Sequence, residues 1–166
     1  MAQNAKAEVH TGGCQCGAVR FRLQGPLVHA SICNCRMCQK AFGNFFAPFA
    51  NAATEPVWTR GKPAIFRSSE RAERGFCPQC GTPLTYRWGD EVTALAIGAF
   101  DHPNEIVPTI EFAHENRHPF LNHIADLKAE PLGLTDEERD ILAILKSFQH
   151  PDRDTDTWPV NNGGEL

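Results

Sequence analysis

The chain has 166 residues, enough for one domain of ordinary size, which buries roughly 70% of the surface that its unfolded form exposes. Acidic residues outnumber basic ones, 20 to 16, which argues against a general nucleic-acid binder. No apolar run approaches the length of about 18 residues that a membrane span requires. Seven cysteines are present, and because seven is odd, complete internal disulfide pairing is impossible.

The first residues, 1–11, are polar and contain neither an apolar stretch nor a small-residue cleavage site. They predict a flexible N-terminus rather than a signal peptide. A protein without an export signal is expected in the reducing cytosol, where thiols stay free or bind metal. The sequence therefore predicts a cytoplasmic protein whose cysteines do not form structural disulfides.

Short stretches in which apolar and polar residues alternate predict a series of β-strands. The first of them covers Val19–Leu23 and is ended by Gly25 and Pro26. Further strands are predicted at Val28–Ile32, Phe45–Phe49, Ile65–Arg67, Leu84–Trp88, Val92–Ile97 and Val107–Ala113. Twelve prolines and 13 glycines separate these segments, as is typical of a sheet-rich domain with tight turns.

One helix is predicted near the C-terminus, where Thr135 and Glu138 fit a capping box and Pro151 ends the segment. Its apolar stripe predicts packing against the edge of the sheet and consists of Ile141, Leu142, Leu145 and Phe148. Residues 151–166 are acidic and contain Gly and Asn, which predicts a flexible tail. We therefore expect a single domain over residues 12–150.

The seven cysteines fall into three clusters. These are Cys14-Gln15-Cys16, Cys33-Asn34-Cys35-Arg36-Met37-Cys38 and Cys77-Pro78-Gln79-Cys80. Two thiolates separated by two residues, as in the last cluster, can bind one tetrahedral ion at about 2.3 Å per bond. Gly81 follows and supplies the backbone angles that let N–H groups approach the sulfur atoms. This pair gives only two ligands, so its metal site needs two more.

The spacing leaves open which cysteines complete that site. Cys14 and Cys16 are the natural complement and would close a four-thiolate site, but spacing alone also permits Cys77 and Cys80 to join the middle cluster. With the first arrangement, the middle cluster supplies three thiolates and leaves one coordination position for substrate or water. An iron–sulfur cluster fits Cys-x-Cys spacing less well, and a redox disulfide lacks the βαβ surroundings of a thioredoxin-like motif.

Three motifs carry a family resemblance. They are Gly12-Gly13-Cys14-Gln15-Cys16-Gly17, then Cys33-Asn34-Cys35-Arg36-Met37-Cys38-Gln39-Lys40, and Phe76-Cys77-Pro78-Gln79-Cys80-Gly81-Thr82. Together they resemble the glutathione-dependent formaldehyde-activating enzyme family, which includes centromere-protein-V-like proteins. The resemblance extends over most of the predicted domain, from the first glycine pair to Phe120.

The resemblance implies a mainly β fold of small packed antiparallel sheets around zinc knuckles, of the β-tent type, to which the capping box adds a short C-terminal helix. It also implies two zinc ions per chain. The structural ion would be bound by Cys14, Cys16, Cys77 and Cys80, and the catalytic ion by Cys33, Cys35 and Cys38. The implied activity is that of a carbon–sulfur lyase, the reversible addition of a thiol, typically glutathione, to formaldehyde or a related aldehyde.

Other residues bear on the substrate. Arg36 and Lys40 flank the middle cluster and are candidates to bind the carboxylates of a peptide-like thiol. The aromatic residues after this cluster are expected in the core, with one or two of them available to wall a pocket; they are Phe42, Phe45, Phe46 and Phe49. The expected partners are a small thiol and an aldehyde, not nucleic acid or a membrane. The alternative function is a non-enzymatic, zinc-stabilised protein-interaction module, which needs closed metal sites only.

Overall fold

Alternation of inward and outward side chains places much of the chain in strands, as the sequence predicts. The computed structural model describes residues 8–129 and 133–159. The strands within these ranges are β1 Val9–Gly13, β2 Arg20–Gln24, β3 Leu27–Cys33, β4 Ala47–Ala52, β5 Val57–Arg60, β6 Ala64–Arg67, β7 Ala72–Phe76, β8 Pro83–Trp88, β9 Ala94–Ala96 and β10 Ile110–Phe112. The α-helices are α1 Arg36–Phe42 and α2 Asp136–Ile144. Several 3-10 helices lie between β9 and α2.

The strands form two sheets, so the predicted mainly β fold is confirmed. The smaller sheet is antiparallel in the order β1-β2-β5, and the larger one has the order β10-β3-β4-β9-β8-β7-β6. Its pairs are antiparallel except that β10 runs parallel to β3. In this topology the cysteines lie in three places: in the β1–β2 loop, at and just after the end of β3, and in the β7–β8 turn.

The main core lies between the two sheets, and its buried strand residues come from β2, β3, β4, β8 and β9. In β2, Phe21 and Leu23 have no exposed surface, while Arg22 and Gln24 face outward. Phe21 meets the rings of Trp58 and Phe100 edge to face, a favourable arrangement for aromatic side chains. Because the β1–β2 loop leads directly into β2, the packing of β2 in the core fixes the position of this loop.

Helix α2 begins at the predicted capping box. The Thr135 hydroxyl accepts a hydrogen bond from the Glu138 backbone N–H, and the Glu138 carboxylate accepts one from the Thr135 backbone N–H. The predicted packing of its apolar stripe is wrong, because no residue of α2 is buried and Ile141 remains 51% exposed. The cap and the three acidic residues of its first turn stabilise this helix locally.

The chain ends fall partly outside the described residues, namely 1–7 and 160–166. Within the described part, residues 9–11 belong to β1, and residues 150–158 run against the β1–β2 loop. We refer to residues 150–158 as the C-terminal strap. None of the helices in the described ranges has the length and apolar character that crossing a membrane would require.

Candidate functional site

The first candidate metal centre joins cysteines from two loops that are distant in sequence. The β1–β2 loop carries Cys14 and Cys16, the β7–β8 turn carries Cys77 and Cys80, and the four sulfur atoms lie within 4.8 Å of one another. The Sγ atoms of Cys14 and Cys16 are 3.6 Å apart, and those of Cys16 and Cys77 are 3.9 Å apart. A tetrahedral zinc ion with bonds of about 2.3 Å separates its sulfur ligands by about 3.8 Å. The donor set therefore fits zinc.

Backbone N–H groups point at the sulfur atoms of this centre. The N–H of Val19 donates to Cys14 Sγ at 3.3 Å, and that of Gln79 donates to Cys77 Sγ at 3.4 Å. Such donors stabilise a thiolate over a thiol. An arrangement of backbone donors around the sulfur atoms suits thiolate ligands of a metal ion.

The thiols of this centre differ in how readily they ionise. Burial raises the pKa of Cys14 and of Cys16 above the ordinary value. Burial also opposes ionisation of Cys80, but hydrogen bonds from the hydroxyl and the backbone N–H of Thr82 lower its pKa to about 6. Cys14 and Cys16, whose burial opposes ionisation, gain most from a divalent cation, because the cation stabilises their thiolates.

The C-terminal strap lies over the loop that carries Cys14 and Cys16. The His150 N–H donates to the Gln15 carbonyl at 2.7 Å, and the Trp158 ring N–H donates to the Cys16 carbonyl at 2.7 Å. Between these contacts, Gly17 has a φ of 77°, and a Cβ at this position would overlap the His150 ring. The strap thus fits closely against a loop that only glycine can complete.

Charged groups hold the strap in place. Arg20 is 2% exposed and donates two hydrogen bonds to Asp101, at 2.8 and 2.6 Å, and two to Asp154 of the strap, at 3.0 and 2.7 Å. Arg60 donates to the Thr155 carbonyl of the strap at 2.6 Å. Burial disfavours the Asp101 carboxylate, but hydrogen bonds from Arg20 and Thr11 hold the pKa of Asp101 below its usual value. The buried Arg20 therefore pairs both with Asp101 of the core and with Asp154 of the strap.

The second candidate metal centre is formed by one continuous segment. Cys33 ends β3, Cys35 caps the start of α1, and Cys38 lies in the first turn of this helix, which brings the three sulfur atoms within 4.8 Å of one another. The Cys38 N–H donates to Cys35 Sγ at 3.4 Å, and Gly43 ends the helix with a φ of 57°. Three thiolates around one point fit a zinc ion and leave it one further coordination position.

Asn34 and Glu111 hold this segment against β10. Asn34 has no exposed surface, and its side-chain amide donates to a Glu111 carboxylate oxygen at 2.8 Å. Hydrogen bonds from His114 and from Asn34 lower the pKa of Glu111, so this carboxylate remains charged. The contact anchors the turn between Cys33 and Cys35 to a neighbouring strand.

Arg74 in β7 is the residue of this centre that the sequence did not reveal. It is 7% exposed, and its Nη2 donates to Cys38 Sγ at 3.4 Å. Its guanidinium carbon lies 5.0 Å from the centre of the Tyr86 ring. Hydrogen bonding with Cys38, assisted by the charge of Arg74, lowers the pKa of Cys33 to about 5, while that of Cys38 is raised. The only available signal was an arginine at an inward position of the strand at 72–76.

A cavity of about 520 Å³ opens beside the three cysteines, all of which line it. Its apolar lining residues include Met37, Phe49, Tyr86, Trp88, Val92 and Phe112. Its polar lining residues are His29, Ser31, Asn51, Arg74 and Glu91. Phe49 is thus the one of the four predicted phenylalanines found in this wall. The four-cysteine centre has no residue in this cavity.

Arg36 and Lys40, predicted to bind substrate carboxylates, are exposed on α1 and are not among the residues that line the cavity. Arg36 donates to the side chain of Gln39 at 3.2 Å. Both side chains lie on the helix that carries Cys38, so they are near the centre but outside its enclosed space.

Comparison with known proteins identifies a matching family and a similar structure. The family described as glutathione-dependent formaldehyde-activating enzyme matches residues 9–116, which is more than half of the chain and includes all seven cysteines. The crystal structure of a Rhodobacter sphaeroides protein, a structural genomics target, is 20% identical and has a TM-score of 0.49. That comparison covers 61% of this chain and 98% of the other. The C-terminal strap lies outside the segment that the family matches.

Proposed function

The chain belongs to the glutathione-dependent formaldehyde-activating enzyme family, and on this basis we propose that it is a zinc-dependent carbon–sulfur lyase that adds a thiol, glutathione in the family's chemistry, to formaldehyde. The observation that carries the proposal is the cavity beside Cys33, Cys35 and Cys38. An interaction module would need no such space next to a three-thiol cluster, and the cavity therefore favours an enzyme over the non-enzymatic alternative.

Two zinc ions are assigned by donor chemistry. Cys14, Cys16, Cys77 and Cys80 would hold the structural ion, and the three cysteines at the cavity would hold the second. When bound, the second ion supplies an electrostatic field that lowers the pKa of a nearby substrate thiol and so favours thiolate at neutral pH. The other contributions to the reaction come from side chains of the protein.

Arg74 is proposed to compensate charge at the open centre. Three thiolates and one divalent ion carry a formal charge of about −1, and the guanidinium that donates to Cys38 Sγ neutralises it. This arrangement makes it easier for an additional thiolate to enter the same space. Because Arg74 is buried and is also held by Ser68 at 3.2 Å, its charge stays fixed near the cluster while substrates exchange.

The cavity walls would exclude water from the reacting atoms. Phe49 and Tyr86 lie side by side, with ring centres 5.5 Å apart, and both line the space next to the cysteines. In the addition, the lone pair of the thiolate sulfur forms the sulfur–carbon bond, and the π pair of the aldehyde moves to its oxygen, which takes up a proton. The reverse reaction breaks the sulfur–carbon bond and returns the thiol and the aldehyde.

Arg36 and Lys40 remain the proposed contacts for carboxylates of the thiol that protrude from the cavity. Their exposed position on α1 suits groups that stay in water, and their contribution to binding is expected to be small and sensitive to salt.

Exchange of formaldehyde with glutathione, measured by NMR with and without the zinc-loaded protein, tests the function. We expect faster exchange with the wild type and no acceleration with Cys35→Ser, which removes one ligand of the open centre but leaves the four-cysteine centre complete. Metal analysis of both proteins accompanies the measurement, with two zinc ions per chain expected for the wild type. Equal exchange rates with and without a wild-type protein of full metal content would exclude the lyase function for this thiol.

A further inference from the structure

The cavity extends along β3 away from the three cysteines. Cys33, Ser31 and His29 are spaced by two residues, so their side chains lie on one face of the strand, and all three line the cavity. With a rise of about 3.3 Å per residue, His29 is about 13 Å from Cys33 along the strand. The cavity therefore has a cysteine end and a distal end.

The distal end gathers residues from three strands. His29 pairs with Asn51 of β4. Strand β9 runs antiparallel to β4 with Phe49 opposite Ala96, so the turn that precedes β9 lies beyond Asn51, at the end away from Cys33. This turn carries Glu91, which lines the cavity together with Trp88 at the end of β8.

The polar side chains of the distal end can each accept a hydrogen bond, and those of His29 and Asn51 can also donate one. Within residues 8–129 and 133–159, the side chains of His29, Asn51 and Glu91 make no hydrogen bond or ion pair. The carboxylate of Glu91 is the charged group at this end. The cation that lines the cavity, Arg74, is already engaged by Cys38 and Ser68. The Trp88 ring is already covered by the guanidinium of Arg71, whose central carbon lies 5.7 Å from the ring centre. The group at this end that suits a positively charged ligand is therefore the Glu91 carboxylate.

We propose that the distal end of the cavity binds the ammonium group of an extended thiol whose sulfur reaches the three cysteines, with Glu91 as the principal contact and Asn51 and His29 as further acceptors. This inference rests on the proposed function and specifies its substrate class. The two ends of such a thiol must be about 10 Å apart, the length of about three extended residues. Short thiols and thiols that lack the ammonium group would leave the distal acceptors unpaired.

The test compares glutathione with glutathione acetylated on its amino group, which keeps both carboxylates and the sulfur but loses the positive charge. With zinc-loaded wild type, we expect kcat/KM for addition to formaldehyde to favour glutathione about threefold, because Glu91 is exposed and an exposed ion pair contributes less than about 1 kcal/mol. In Glu91→Gln this preference should fall close to one. Glu105→Gln removes the same charge from an exposed position outside the cavity and should retain the preference.

A wild type that treats the two thiols alike, or a preference that survives in Glu91→Gln, overturns the proposal while leaving the lyase function intact. Binding of the S-methylated forms of both thiols, measured by calorimetry on the zinc-loaded protein, gives a second readout that needs no turnover. If no thiol is turned over, the lyase function fails, and the binding preference still decides the distal site. Equal affinities for the two S-methylated forms would then refute it.

Discussion

The two cysteine clusters differ in what encloses them. The four-cysteine centre joins two loops 61 residues apart, is lined by backbone donors and is covered by the C-terminal strap. The three-cysteine centre comes from one strand-to-helix turn and opens into the cavity. Closing a long loop costs conformational entropy that a bound ion must offset, whereas a local cluster costs little. We therefore propose that the first centre stabilises the fold and that the second serves substrates.

Cysteine substitutions provide the strongest test of this difference. Cys77→Ser removes one ligand of the centre that joins the two loops, and we expect loss of stable folding, because structural zinc sites contribute about 10 kcal/mol or more to folding. Cys35→Ser should leave a folded protein with about one zinc ion per chain. Circular dichroism and metal analysis of the two variants measure the contrast. A soluble Cys77→Ser protein that unfolds cooperatively would contradict the structural assignment.

The buried ion pair beneath the strap should give the next largest effect. Asp101→Asn leaves Arg20 buried with weaker partners, which we expect to lower the free energy of unfolding by about 3 kcal/mol. Asp154→Asn removes the more exposed carboxylate, whose side chain is 49% exposed, and should cost about 1 kcal/mol or less. Urea unfolding of the zinc-loaded variants measures both values. Equal losses would mean that the strap, not the core pair, carries the charge interaction.

The strap itself is tested by Trp158→Phe, which keeps an aromatic ring but removes the N–H that donates to the Cys16 carbonyl. A lost hydrogen bond of this kind costs about 1 kcal/mol, so the free energy of unfolding should fall by that amount. Zinc should also leave the four-cysteine centre several times faster, as followed with a colorimetric chelator. Release from the three-cysteine centre should be unchanged, and equal acceleration at both centres would show a general loss of stability instead.

Local patterns carried most of what the sequence predicted. Cys14 and Cys16 were matched with Cys77 and Cys80 by ligand number and family resemblance, and the structure brings these four together. The capping box at Thr135 was found because its signal lies within four residues. The capping box is contained in a short segment, whereas spacing left the grouping of the cysteine clusters open and the family resemblance supplied it.

Features that depend on distant partners were not predictable. Arg74 belongs to the three-cysteine centre only because β7 and the start of α1 meet in space. The strap residues look like a polar tail until Arg20 and Arg60 are placed beside them. The apolar stripe of α2 predicted burial, yet the structure leaves Ile141 half exposed. Periodicity identifies a helix, but it does not identify the surface that the helix meets.

The smallest expected effect concerns pH and the strap. His150 is 5% exposed, and its burial, aided by the charges of Arg60 and Arg20 but opposed by Asp101, lowers its pKa below the ordinary value of 6.5. The folded protein therefore holds this ring neutral, while the unfolded chain protonates it near pH 6.5. Stability contributed by the neutral ring is present above that value and declines as the pH falls towards the lowered pKa of the folded protein.

Other groups also titrate in this range, so the contribution of His150 is obtained as a difference between two proteins. We expect the free energy of unfolding of the wild type to fall more steeply between pH 7 and about one unit below 6.5 than that of His150→Gln, because glutamine cannot take up a proton. The two profiles should run parallel above pH 7. If the two profiles stay parallel throughout, protonation of His150 does not loosen the strap. The acid sensitivity of the four-cysteine centre then comes from its cysteine ligands, as does that of the three-cysteine centre.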